Sequence, residues 1–383
     1  MSEYQYYEFQ AIDQPLDGAA QAALRSISSR ARITATSFTN HYDWGDLRGD
    51  PREFMERWFD LHLYFADWGA RRLMMRVPGR FLNHADVQPF LRAVDWAEVW
   101  TAGDYVIVDV CRDEVEPGDH EEDGSGWLGA LAPLRADVLS GDLRLFYLLW
   151  LTAVQDDLVA DDELEPLPGI GPLTAALEAF AAFFDIDRDL VEAAAETGAR
   201  DLIVPKDSLR EAFAAISDSE KTELLLRLID GDSHVAAELK ARIRKRHPAP
   251  SAPRRTVGTL RKRAQEVAEL RERAKAEQRE AERRRQAEEA ETARRARLKI
   301  LKRRGNDVWR EIEAEIERRN ASGYDKAAGL LFDLQALAAE EGSRADFRRR
   351  FALLRKRHEK KGKFIERLSS LGYDNDETEP HVS

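Results

Sequence analysis

The run HYDWGDLRGDP, residues 41–51, places a histidine, three aspartates, an arginine and a tryptophan within eleven positions. An imidazole flanked by carboxylates is what general acid–base chemistry requires, because the two kinds of group can exchange a proton near neutral pH. His41, Asp43 and Asp46, with Trp44 beside them, are therefore the candidate polar cluster of an enzyme site in the N-terminal region. Backbone needs account for the rest of the run. Asp50 is placed to cap a helix, Pro51 suits its first position, and Glu53 is spaced to complete a capping box. Gly45 and Gly49 permit the turns that lead into that helix.

The acidic loops DEVEPGDHEEDG (113–124) and DDLVADDELEP (156–166) concentrate oxygen ligands of the kind that hard divalent cations take. Neither has the ordered spacing of a calcium loop, and both read as solvated surface loops. None of the eight histidines forms H-x3-H or H-E-x-x-H, the ligand spacings of helical zinc sites. His62 reads as a half-buried packing residue. Cys111, the single cysteine, ends a strand pattern without a partner at catalytic spacing, and reads as a small apolar side chain. The Gly-rich phosphate cradles and the G-x-S-x-G nucleophile elbow are absent. On these grounds no catalytic residue, metal ligand or cofactor is assigned.

A different chemistry, recognition of an anionic surface, gathers towards the C-terminus. Residues 254–304 carry 19 basic against 9 acidic side chains, and residues 342–368 carry 11 against 3. In the second stretch Arg348, Arg349, Arg350, Arg355, Lys356, Arg357, Lys360 and Lys361 lie on or beside one helical pattern. Such a set suits an acidic protein partner, or a phosphate backbone to which binding would be steeply salt-dependent. It equally suits a solvated helix, or contact with the chain's own acidic body. Up to residue 250 there are 25 Lys and Arg against 46 Asp and Glu, and beyond it 34 against 25. No recognised nucleic-acid-binding motif accompanies the charge.

The elements that position these groups follow from hydrophobic periodicity. Residues 4–12, 33–42, 71–77 and the hairpin 99–110, turned at Gly103 and Asp104, are rich in β-branched and aromatic residues and predict strands. Helices are expected at 18–30, 51–68 and 86–95, giving the order βαβαβαββ with helices on one face of a sheet. In the second helix Phe54, Trp58, Leu61, Phe65 and Trp68 make one stripe, with Gly69 at the C-cap position. From 124 to 247 the pattern becomes purely helical, with runs at 143–154, 171–184, 188–196, 207–216, 219–229 and 233–246.

The expected organisation is thus an α+β domain over 1–115, an all-α domain over 124–247 and a Pro-rich linker over 248–255. A long charged helix over 256–304, a basic helical bundle over 305–372 and a disordered acidic tail over 373–383 follow. In the long helix the apolar residues after Leu270 are almost all alanine, while Glu269 and Arg273, Glu280 and Arg284, and Glu291 and Arg295 stand at i and i+4. That favours a single solvated helix, roughly 75 Å long at about 1.5 Å per residue; a coiled coil, which needs large apolar a and d residues, is the alternative. The bundle is expected from three helices, the last broken near Gly362.

A charged fraction of 34% exceeds that of ordinary globular domains, as the long helix requires, and 43% hydrophobic residues suffice for two or three cores. One cysteine points to a reducing compartment, and the N-terminus has no basic-then-apolar leader. The longest apolar run, 145–154, is far too short to cross a bilayer, so no membrane span is expected.

Four segments carry two resemblances. YYEFQAIDQPL, SISSRARITATSFTNHYDWGDLRGDP and PLPGIGPLTAALEAFAAFFDIDRDL resemble a family of uncharacterised bacterial proteins, and YDKAAGLLFDLQALAAEEGSRADFRRRFALLRKRHEKKGKFIERL is similar to the C-terminal tail of bacterial SWIM zinc-finger proteins. The resemblance implies a bacterial cytoplasmic protein and lends no activity. The zinc module, with its several cysteines and a histidine, is absent, so its metal ligands do not carry over. The expected function is non-enzymatic: an interaction or scaffold protein with an acidic body and a basic helical arm, binding a protein partner or itself. Nucleic-acid association through the basic helices, and an enzyme using the His41 cluster, are the alternatives.

Overall fold

A computed structural model describes residues 4–115, 123–198, 210–211, 213–246 and 253–369. The chain forms two compact units, Met1–Glu272 and Arg273–Ser383. The first begins with β1 (Gln5–Gln10), α1 (Gly18–Ile27), β2 (Arg32–Ile33), β3 (Ser37–Tyr42), α2 (Pro51–Arg57) and β4 (Leu61–Ala66). It continues with β5 (Arg71–Pro78), α3 (His84–Leu91), β6 (Ala97–Ala102) and β7 (Tyr105–Arg112). The strands make one sheet in the order β2-β3-β1-β4-β5-β7-β6, with every pairing antiparallel.

The helix expected over 51–68 stops at Arg57. Asp50 and Pro51 take the anticipated places, Pro51 in the first turn and the Asp50 carboxylate accepting the Arg52 amide at 2.8 Å. Residues 61–66 are instead a central strand paired with both β1 and β5. Leu61, Leu63 and Phe65 enter one apolar cluster, while His62 stacks on Phe9 on the other face. A strand covered on both faces is apolar at nearly every position, so a 3,4-spaced subset can always be picked from it. Gly69 is no helix cap but the turn into β5. Its φ is +104°, and a Cβ there would lie 2.4 Å from the Val115 carbonyl oxygen.

Helices cover both faces of the sheet rather than one. α1 and α2 pack Ala20, Leu24, Phe54 and Met55 against Phe9, Phe38, Met74 and Ile107. The opposite face, with Leu63, Leu73, Met75, Val106 and Val108, is covered by later helices. These are α4 (Trp127–Leu131), α5 (Pro133–Leu139), α6 (Arg144–Gln155), α7 (Ala175–Phe183) and α8 (Arg188–Ala195). α6 is buried from Arg144 to Val154, as its all-round apolar sequence requires. Segments 1–115 and 124–247, expected as separate domains, therefore share one core. Sheet residues that alternate between two apolar faces need cover on both, and α1 and α2 supply only one.

α9 (Asp218–Ile229) and α10 (Val235–Arg246) follow; residues 207–209 and 212 of the helix expected at 207–216 lie outside the described residues. So do 248–252 of the expected linker, but its end is anchored. Arg255 donates its amide and guanidinium to the fully buried Glu165, which also accepts the Tyr147 hydroxyl at 2.6 Å.

α11 (Val257–Arg304) is the expected long helix, 48 residues in length. Val257, Leu260, Ala264 and Val267 join the core of the first unit. From Arg273 its surface is solvated, with Glu291 and Arg295 paired at 2.8 Å and Glu280 bonded to Arg284, until Leu298 and Leu301. Those two enter the core of the second unit, formed with α12 (Asn306–Glu317), α13 (Ala321–Glu340), α14 (Arg344–Arg357) and α15 (Gly362–Ser369). The helix expected to break near Gly362 is thus two helices. The expected acidic tail lies outside the described residues. Among the described residues, no helix is long and apolar enough to cross a membrane.

Candidate functional site

β3 carries His41 opposite Tyr6, and the imidazole stacks on Tyr4 with ring centroids 6.2 Å apart. The loop after β3 turns Asp46 the other way. Its carboxylate accepts the Tyr7 hydroxyl at 2.5 Å and the Leu47 amide at 2.7 Å. The same loop is tied by Gln5, which donates to the Gly45 carbonyl at 2.9 Å and accepts the Tyr64 hydroxyl at 3.0 Å. Tyr6 and Tyr7 are consecutive residues of one strand and point to opposite faces. His41 and Asp46 are therefore on opposite sides of the sheet, and the structure does not assemble them into a proton-transferring pair.

Asp43 and Trp44 are exposed, Trp44 by 73%. Burial, and then the hydrogen bond to Asp46, raise the Tyr7 phenol above its usual range, so it stays protonated and serves as a donor. What the cluster does is fasten the β3–α2 loop to β1. His62 is fully buried rather than half-buried, and burial together with the charge of Arg72 pushes its pKa down to about 3. Its Nδ1 lies 3.0 Å from the Glu8 carbonyl oxygen, which fixes the ring. Burial also raises the Cys111 thiol, which keeps it from being a thiolate. In the second acidic loop Asp157 and Asp161 pair with Arg261 at 2.9 and 2.5 Å.

The charges that sequence reasoning passed over are inside the first unit. Arg135 donates to both oxygens of Asp13 at 2.9 and 2.6 Å and lies 3.6 Å from Asp60. Asp60 in turn accepts Arg76 and the amides of Ile12 and Asp13. Burial alone would raise the Asp13 carboxyl, but hydrogen bonds from His234 and Arg135 hold it at about 2. Across the sheet Arg72 grips Asp109 in a bidentate pair at 2.8 and 2.6 Å. The signal was present: Arg76 and Asp109 interrupt otherwise apolar strands, and a charge at such a position requires a partner.

The basic set divides in two. Arg350 bonds Asn306 at 2.7 Å, Arg357 bonds Glu313 at 2.6 Å and Lys361 bonds Glu317 at 2.7 Å, all three crossing from the α14 region to α12. His358, buried between them, lies 2.8 Å from Glu313. Arg349 pairs with Asp346 on its own helix, and Arg355 is half-buried. Arg348, Lys356 and Lys360 are exposed and have no ion pair among the described residues. Three of the eight cations therefore tie the bundle together, and three others point outward. No family model matches this chain, and no curated protein or solved structure matches it either.

Proposed function

We propose that this is a non-enzymatic interaction protein, whose C-terminal bundle presents Arg348, Lys356 and Lys360 to an acidic surface of a partner protein. The supporting observation is the division just described. The neighbouring cations Arg357 and Lys361 are bonded to α12 carboxylates, whereas these three are solvated and unpaired among the described residues. An exposed cation that makes no internal pair is free to neutralise charge on a partner and steer its approach. The opposed placement of His41 and Asp46 weighs against the enzyme reading. The single cysteine favours a cytoplasmic setting.

The experiment is capture of partners from the native host by the full chain and by an Arg348→Glu, Lys356→Glu, Lys360→Glu variant, followed by identification of bound protein and nucleic acid. The wild type is expected to retain a protein that the variant loses, with retention falling as salt rises. Equal capture by both would overturn the reading. Binding of generic duplex at low salt, lost in the variant, would transfer it to nucleic acid.

A further inference from the structure

Among the described residues β6 stands at the end of the sheet and pairs only with β7. The Cys111 amide donates to the Trp96 carbonyl at 2.9 Å, which sets the bonding phase of the ladder. Trp96, Glu98, Trp100 and Ala102 direct their backbone groups towards β7, and Ala97, Val99 and Thr101 direct theirs outwards. Among the described residues these three make no backbone bond on the open side. Edge strands are commonly blunted by lysine, proline or a bulge. β6, AEVWTA, has an unbroken register and a single charge, Glu98. An open groove of about 490 Å³ runs beside it, lined by Arg52 and Glu56 of α2, His84 of α3, and Glu98, Val99 and Trp100 of the strand.

We propose that this edge is a self-pairing surface, on which a second copy of the chain adds its own β6 antiparallel about a two-fold axis at Val99. The sequence of the strand is complementary to itself in that register alone. Val99 meets Val99, Ala97 meets Thr101 and Glu98 meets Trp100, and the three outward pairs exchange six backbone hydrogen bonds. Centring the pair on Glu98 would set two carboxylates face to face. Centring it on Trp100 would lose a bonded pair, because Gly103 has already turned into the hairpin with φ +58°. The side chains above the strand agree. The Arg52 guanidinium lies 4.7 Å from the Trp100 ring centre and bonds Glu98 of its own chain. In the proposed register the second copy's Glu98 arrives beside Trp100, under that same guanidinium. Each arginine, already 3.4 Å from its own Asp109, then faces both Glu98 carboxylates, and no like charges stand directly opposite on the strands.

Sedimentation velocity of the full chain over a wide concentration range is expected to show a monomer–dimer equilibrium. Val99→Pro removes an N–H that points away from the sheet, and should leave the far-UV spectrum unchanged while abolishing the dimer. Glu98→Arg and Arg52→Glu should each raise the dimer dissociation constant about tenfold or more, by setting like charges across the axis. An equimolar mixture of those two variants should restore association, since both crossed pairs are then opposite in sign. If Val99→Pro does not fold, this mixture still decides the matter. A wild type that is monomeric throughout overturns the proposal, as does a dimer that all three variants leave intact.

Discussion

In the unit spanning Met1–Glu272 the decisive ions are inside: Arg135, Asp13 and Asp60 have side chains exposed by only 4, 9 and 0%. In the unit from Arg273 they are mostly outside. Arg357 and Glu313 pair with side chains 68 and 31% exposed, and Lys326 reaches Glu311 and Glu315 from a half-exposed position. The same chemistry has different consequences in the two settings. A buried pair has given up its hydration and is held by geometry, so removing one partner leaves an uncompensated charge in a poor dielectric. A surface pair keeps its water and is screened by salt, so it contributes little and its members can be exchanged for other partners. The buried cations of the first unit are therefore committed to its fold, whereas the surface-paired cations of the second are held loosely.

The comparison is tested most severely at Arg135. Arg135→Met removes the donor to Asp13 and to the Arg76 carbonyl, and is expected to cost about 3–5 kcal/mol in chemical denaturation of the first unit. A loss below about 1 kcal/mol would erase the contrast.

Acid supplies the next test. The folded-state pKa of His62 is pushed down to about 3 from 6.5, so the unfolded chain binds a proton that the native one refuses. Stability from this group is complete above pH 6.5 and declines as pH falls towards 3, by roughly 3 kcal/mol at pH 4. Asp13 adds a second decline between about pH 4 and 2, because its folded pKa is depressed. Hydrogen exchange resolved by segment should show protection of β1 and β4 weakening from pH 6.5 downwards. In the second unit, Glu311, Glu315 and Glu317 also have lowered pKa values, but these carboxyls begin to protonate only below their usual value of 4.5.

The smallest effect is expected at the surface. Arg357→Ala should change the stability of the bundle by about 0.2–1 kcal/mol at low salt, and by less as salt screens the pair. A larger, salt-insensitive loss would show that the exterior pairs act like the buried ones.

Much of the outward face of α14 could be traced in the sequence. Phe347, Phe351, Leu354 and His358 define its buried stripe at about 100° per residue. Lys356 then falls opposite the stripe, while Arg350 and Arg357 fall on one flank; Lys360 and Lys361 follow the end of the helix at Arg357. That α12 would meet this flank with Glu313 and Glu317 was not legible, because their pairing depends on how two helices pack. Residues 41–46 show the converse. Their chemical types were legible, but a strand puts neighbouring residues on opposite faces, and the loop after Tyr42 then sends Asp46 to the side of Tyr7. Residues 58–66 misled for a third reason. Burial on two faces erases the period that distinguishes helix from strand.

The sequence by itself determined where helices could start and hairpins could turn. Asp50-Pro51 and Gly103-Asp104 fix local backbone geometry whatever surrounds them. It also determined that residues 273–297 would be a solvated helix, since alanine and alternating charge leave no stripe to bury. Only the tertiary structure decided that residues 1–115 and 124–247 would share a core, that Arg135 would reach Asp13 over 122 positions, and that β6 would end the sheet. Local conformation follows from sterics and hydrogen bonds within a few residues. Pairing across the chain follows from which surfaces remain to be buried once those local choices have been made.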